Sequence, residues 1–159
     1  FNRILDIGCG SSRIPMDIPN CIAVDIQKQK VRFQKSHGVQ GSCASIYALP
    51  FKDESFDQVI FSQVIEHIPL KPQIMGELRR VLKPGGTLLI GTPDYGRMFW
   101  VILEEFYNRI TPGGHCHEHI TKFTLKTFRE LIHGAGFKSL RARYVGGGEL
   151  IIKAVKLPC

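Results

Sequence analysis

Apolar residues along this chain gather in short unbroken runs set off by polar or glycine-rich breaks. The first is Ile4 to Ile7, with Asp6 inside it, closed by Gly8, and the second is Cys21 to Ile26, reading CIAVDI. Unbroken rather than alternating hydrophobicity marks strands covered on both faces, as in a parallel sheet. Between these runs stand Pro15 and Pro19, which leave room for only a short helix. A weaker strand is predicted near Val39 to Ser45 and a clear one at Phe56 to Phe61. Ile74, Leu78, Val81 and Leu82 then recur at helical spacing, with Arg79, Arg80 and Lys83 near the C-terminal end where the helix dipole favours cations. Pro84, Gly85 and Gly86 are expected to stop that helix, and Thr87 to Gly91 to form the next buried strand.

Gly96 to Ile110 reads as a helix that is apolar around much of its girth. Thr124 is placed to cap a last helix carrying Leu125, Phe128, Leu131 and Ile132 on one face, ended by Gly134 and Gly136. Lys138 to Tyr144 and Glu149 to Lys156 flank three glycines and predict an antiparallel hairpin. Strands alternating with helices before a closing hairpin give the expected architecture: an α/β three-layer sandwich with a mostly parallel, Rossmann-like sheet and an antiparallel C-terminal hairpin.

With 159 residues, one domain spanning 1–159 is expected. The chain begins at Phe1 and enters its first strand almost at once, which points to helices missing upstream. No apolar run reaches the length of a membrane span and no signal-peptide pattern is present. Five scattered cysteines with no C-x-x-C pair argue against disulfides and structural zinc, so reduced thiols and a cytoplasmic location are expected. The net charge of +7 is dispersed, at Lys28, Lys30, Arg79, Arg80, Arg141 and Arg143 among others, and points to a solvated basic face rather than a nucleic-acid surface.

The chemistry concentrates at RILDIGCGSSR, Arg3 to Arg13. Ligands of open α/β sheets bind at the carboxyl ends of the strands, where Gly8 and Gly10 allow a tight turn with backbone close to a ligand. A dinucleotide site would want a third glycine at position 13, which is Arg13, and a full helix facing pyrophosphate. Instead Asp6 precedes the glycines, and Asp25 ends the second strand, placed to take a ribose diol. A nucleoside with a cationic, amino-acid-like tail suits two acids and a glycine turn; the alternative is that both acids merely cap strand ends.

ILDIGCGSSR, AVDI, ALPFKDESFDQVIFSQVIEHI, ELRRVLKPGGTLLIGTP and LIHGAGF follow one another in an order and spacing that resembles the class I S-adenosylmethionine-dependent methyltransferases. The resemblance implies S-adenosylmethionine as cofactor and S-adenosylhomocysteine as product. It implies that Asp6, Gly8, Cys9 and Gly10 meet the methionine end, Asp25 the ribose, Ile26 the adenine, Ser45 and Ile46 the adenine edge, and Ser62 the methionine end. Ser12 and Ser45 stand where many relatives have glycine and aspartate. It also implies an acceptor site built after the fifth strand, here an insert at 94–121 carrying Phe99, Trp100, Phe106 and Tyr107. An apolar or aromatic acceptor is one reading of those rings and core packing the other.

In-line displacement at a sulfonium depends largely on positioning, so a general base is optional. His67, beside Glu66, and His117 are the candidates. His115, His117 and His119 would share one face of an extended strand, a geometry that can grip a metal; a polar pocket wall is the preferred reading, and no metal is expected. FSQV after the fourth strand lacks the motif that holds a flipped base amine, so nucleic-acid methylation is disfavoured. The expected function is methyl transfer from S-adenosylmethionine to an oxygen, nitrogen or carbon of a small molecule. The alternatives are a catalytically weak methyltransferase-like domain that binds cofactor or a partner, and a nicotinamide-dependent oxidoreductase.

Overall fold

Leu5, Asp6 and Ile7 are buried in strand β1 (Ile4–Ile7), which lies between β2 (Cys21–Asp25) and β4 (Phe56–Ser62), both parallel to it. The computed structural model describes residues 2–98, 100, 102 and 119–158. Strand β3 (Gln40–Cys43) extends the sheet beyond β2, and β5 (Leu82–Pro93) pairs in parallel with β4. Then β6 (Phe137–Val145) and β7 (Glu149–Lys156) form the antiparallel hairpin, with β7 against β5. The resulting order, β3-β2-β1-β4-β5-β7-β6, is the expected Rossmann-like sheet. Its direction of progression reverses between β1 and β4, so the carboxyl ends of those two strands open a crevice.

The helices follow the apolar periodicity where there is one. Helix α1 (Ile14–Asp17) is the short turn that Pro15 permits. Helix α3 (Pro72–Val81) buries Ile74, Met75, Leu78 and Val81 against the sheet. Leu82, expected on that helix, is the first residue of β5, fully buried and paired with Phe56. Pro84 to Gly86 therefore lie within a strand, at a register shift, and a Cβ on Gly86 would come within 2.8 Å of the Lys83 carbonyl. Helix α4 (Leu125–Gly134) starts at Thr124, whose Oγ1 accepts from the Thr127 amide at 3.3 Å while the Thr127 Oγ1 accepts from the Thr124 amide at 3.0 Å. Gly134 is inside this helix. The chain leaves it through Gly136, at φ 78°, against which Arg79 packs and donates to the carbonyl at 2.7 Å.

One helix has no apolar signature. Helix α2 (Lys28–Ser36) reads KQKVRFQKS and buries only Val31 and Gln34. Gln34 is completely buried because its amide serves the glycine turn: Nε2 donates to the Gly10 carbonyl at 3.2 Å and to the Ser12 carbonyl at 2.9 Å. A polar residue holds the core position, and periodicity alone passes over it. Among the described residues no helix is long and apolar enough to cross a membrane.

The predicted helix at Gly96 to Ile110 is described only in part, with Met98, Trp100 and Ile102 helical. Phe99, Phe106, Tyr107, His115, Cys116 and His117 lie outside the described residues.

Candidate functional site

The turn after β1 is bound to β2 by the Gly8 and Cys9 amides, which both donate to the Val24 carbonyl, at 2.8 and 3.1 Å. Gly8 and Gly10 have φ values of 74° and 52°, where side chains are disfavoured. A Cβ on Gly8 would collide with the Val64 side chain, whereas one on Gly10 would meet nothing within 4 Å. Close approach therefore governs Gly8, and backbone conformation governs Gly10. Asp25 locks the turn from the neighbouring strand: its Oδ2 accepts from the Gly10 amide at 2.9 Å and its Oδ1 from the Gln27 amide at 2.8 Å. Each oxygen keeps a second lone pair for a ligand hydroxyl.

A crevice of about 370 Å³ opens here, and Gly8, Asp25, Ile26, Ser45 and Ile46 all line it. Ile26 is 71% exposed, an apolar side chain left bare at the mouth. Ser45 makes a tight turn, its carbonyl accepting from Ala48 at 3.1 Å and its Oγ from the Tyr47 amide at 3.3 Å. Asp6, Cys9, Gly10 and Ser62 do not contribute to the lining. Asp6 is only 4% exposed, and its Oδ2 has no hydrogen-bond partner. Burial first, and the Asp25 carboxylate second, push its pKa up to about 7. The Cys9 and Cys21 thiols are held at about 12, chiefly by burial, and are unreactive.

The crevice has walls that sequence reasoning did not single out. Gln63, at φ 58°, and Val64 both line it, and Gln63 Nε2 is a buried donor without a partner. Their only signal in the sequence is position, directly after β4.

Beside them, a 3-10 turn (Ile65–His67) carries Glu66 and His67, and His67 lines the same crevice. Glu66 is fully buried, and neither carboxylate oxygen has a hydrogen-bond partner. Burial raises its pKa to about 7; its own backbone amide first and the nearby Thr92 hydroxyl second oppose that rise without reaching hydrogen-bond geometry, and Glu149 adds to it. The Glu66 backbone carbonyl accepts from the Ile120 and Thr121 amides at 2.7 and 3.2 Å, which fastens the 119–121 segment to this turn. His119 thus stands against His67, ring centroids 4.8 Å apart, and its Nδ1 pairs with the Tyr95 hydroxyl at 2.5 Å. The ligand atoms of Glu66, His67 and His119 all fall within 4.8 Å of one another. Of the three histidines expected to share a face, His119 alone is among the described residues, and its neighbours are Glu66 and His67.

A family model for the methyltransferase domain matches residues 5–90. A ubiquinone biosynthesis O-methyltransferase of Xanthomonas oryzae is 27% identical over 129 residues, covering 72% of this chain and 54% of that protein. A crystal structure of a SAM-dependent methyltransferase from Methanosarcina mazei superimposes with a TM-score of 0.78 at 20% identity, covering 98% of this chain and 92% of the other. The Burkholderia thailandensis 1,6-didemethyltoxoflavin-N1-methyltransferase, solved with 1,6-didemethyltoxoflavin and S-adenosylhomocysteine bound, superimposes with a TM-score of 0.73 at 18% identity, over 99% of this chain and 72% of that one. The chain spans 66%, 28% and 54% of the length of three of the curated relatives it matches.

Proposed function

Because the chain belongs to the class I S-adenosylmethionine-dependent methyltransferases, we propose that it moves a methyl group from S-adenosylmethionine to an oxygen, nitrogen or carbon nucleophile of a small molecule. The observation that carries this reading is the meeting of the glycine turn and the Asp25 carboxylate at the sheet's switch point, on a crevice with a bare apolar side chain at its mouth.

The residues fit the cofactor. Asp25 retains acceptor capacity for a ribose diol while it holds the Gly10 amide, and the exposed Ile26 suits an adenine face. The unpartnered Asp6 oxygen and the unpartnered Gln63 amide offer an acceptor and a donor for the ammonium and carboxylate of the methionine end. When bound, the cofactor supplies an electrophilic methyl on a sulfonium. The protein's part is to align the acceptor behind that methyl and keep water out, which accounts for much of the acceleration in such displacements. His67, on the crevice wall next to buried Glu66, is the residue placed to receive a proton from the acceptor. The 94–121 segment is proposed as the acceptor side.

Among the similar proteins one O-methyltransferase is named for ubiquinone biosynthesis and one N1-methyltransferase for 1,6-didemethyltoxoflavin, which supports a small-molecule acceptor. Calorimetric titration with S-adenosylhomocysteine and with NADH tests the cofactor, and tighter binding of NADH overturns the proposal. Incubation with pooled small-molecule acceptors and S-adenosylmethionine, read by mass spectrometry, is expected to show a cofactor-dependent gain of one methyl.

A further inference from the structure

Glu66, His67 and His119 make an arrangement that neither the fold nor the cofactor site requires. A fully buried carboxylate without a hydrogen-bond partner is costly unless a cation offsets it. Among the described residues two imidazoles face it and no arginine or lysine does: the groups near Glu66 there include His67, His119, the Thr92 hydroxyl and a second acid, Glu149. One carboxylate with two imidazoles is the donor set of zinc hydrolase sites and of non-haem iron(II) triads.

The distances allow a shared ion. Ligand atoms about 2.0 to 2.2 Å from a metal are at most roughly 4.4 Å apart. His67 Nε2 and Glu66 Oε1 are separated by 4.0 Å, and the whole set spans no more than 4.8 Å, so side-chain shifts below about 1 Å close it. The second shell is in place as well. The Tyr95 hydroxyl engages His119 Nδ1, and such a contact fixes ring orientation at metal sites. The Ile120 and Thr121 amides on the Glu66 carbonyl hold the two halves of the set together.

We infer that Glu66, His67 and His119 bind one divalent first-row transition ion at the acceptor end of the crevice. This departs from the reading that the histidine-rich segment holds no metal. It also replaces the His115, His117 and His119 face with a set drawn from two segments of the fold. Since His67 lines the crevice, the ion would lie where an acceptor oxygen could complete its coordination, and with the ion bound His67 would serve as a ligand while the metal, by acidifying that oxygen, would take over the part assigned to His67 as proton acceptor in the metal-free site. That last consequence rests on the methyl-transfer reading; the binding of the ion does not.

Cobalt(II) titration of the metal-stripped protein, without cofactor, is the test. The expected result is stoichiometric binding with visible d–d absorption and no thiolate-to-cobalt charge transfer. Glu66→Gln and His119→Ala are each expected to weaken binding roughly tenfold or more, and Tyr95→Phe by about tenfold through lost orientation of His119. His115→Ala/His117→Ala is expected to leave affinity unchanged. Circular dichroism and thermal midpoint confirm that each variant folds, with isosteric Glu66→Gln the arm least exposed to misfolding. Substoichiometric binding, thiolate charge transfer, or a loss confined to His115→Ala/His117→Ala overturns the inference. S-adenosylhomocysteine affinity is measured in parallel; its loss sinks the cofactor reading and leaves the metal result standing.

Discussion

Cofactor binding should be coupled to a proton at Asp6. In the free protein burial, reinforced by Asp25, holds this carboxyl at about 7 rather than near 4, so it is about half protonated at neutral pH. A ligand ammonium placed against it selects the ionised form, and affinity should then follow the ionised fraction. That fraction is roughly nine-tenths at pH 8, one-half at pH 7 and one-tenth at pH 6, so binding weakens about tenfold, or about 1.4 kcal/mol, from pH 8 to pH 6. The sign is set by the direction of the shift: the pKa falls on binding, so a proton is released and affinity rises with pH up to a plateau above about 8. Titration calorimetry with S-adenosylhomocysteine at several pH values, each in two buffers of different ionisation enthalpy, reads both affinity and proton count. Release should approach one proton at pH 6. Glu66, also raised to about 7, and His67 stand near the crevice, so Asp6→Asn is the control: it should bind more weakly at pH 8 and lose the pH dependence. A flat wild-type affinity between pH 6 and 8, proton uptake, or a slope that survives in Asp6→Asn refutes the reasoning.

The same shift acts on stability. A carboxyl with a raised folded pKa favours the native state below its unfolded value near 4, and this contribution is lost as pH climbs from there through about 7, so by urea unfolding the stability of the cofactor-free Asp6→Asn protein relative to wild type should be at least about 1 kcal/mol greater at pH 8 than at pH 4. Asp25→Ala removes the acceptor of both the Gly10 and Gln27 amides as well as the proposed diol contact, and should weaken S-adenosylhomocysteine by roughly 1 to 3 kcal/mol in calorimetry. Gly8→Ala places a Cβ into Val64 at a positive φ and should cost at least about 1 kcal/mol in urea unfolding. Arg80 binds Glu77 and Asp53 and donates to the carbonyls of Leu49 and Phe51, so Arg80→Ala, which removes these side-chain ties of the 49–53 loop to α3 and leaves the Leu49 amide on Glu77, should lower stability by roughly 2 to 3 kcal/mol, read by the same method.

What the sequence disclosed and what it withheld divide along a physical line. Strands buried on both faces must be apolar throughout, so β1, β2, β4 and β5 are visible as runs, and α3 and α4 as stripes, because burial leaves its mark on residue type. Helix α2 leaves no such mark. Its buried face includes Gln34, whose amide satisfies two carbonyls of the glycine turn, and a hydrogen-bonded interior position is written in polar letters like any solvated one. Leu82 was misplaced for the converse reason: burial in a helix and burial in a strand ask for the same residue, and only pairing with Phe56 separates them. At the site, Asp25 and the two glycines were legible because a left-handed turn and a strand-end acid constrain local residue types. Glu66, His67 and His119 were not legible as a set. Residues 52 positions apart meet because two backbone amides after His119 close on the Glu66 carbonyl, and neither amide depends on which side chain it carries. An alternation that would bring His115, His117 and His119 to one face is visible locally, yet the partners of His119 among the described residues include Glu66 and His67, from the turn after β4, and Tyr95, from the segment after β5. Contacts made by backbone groups place functional side chains without selecting them, so chemistry assembled in that way has to be found in three dimensions.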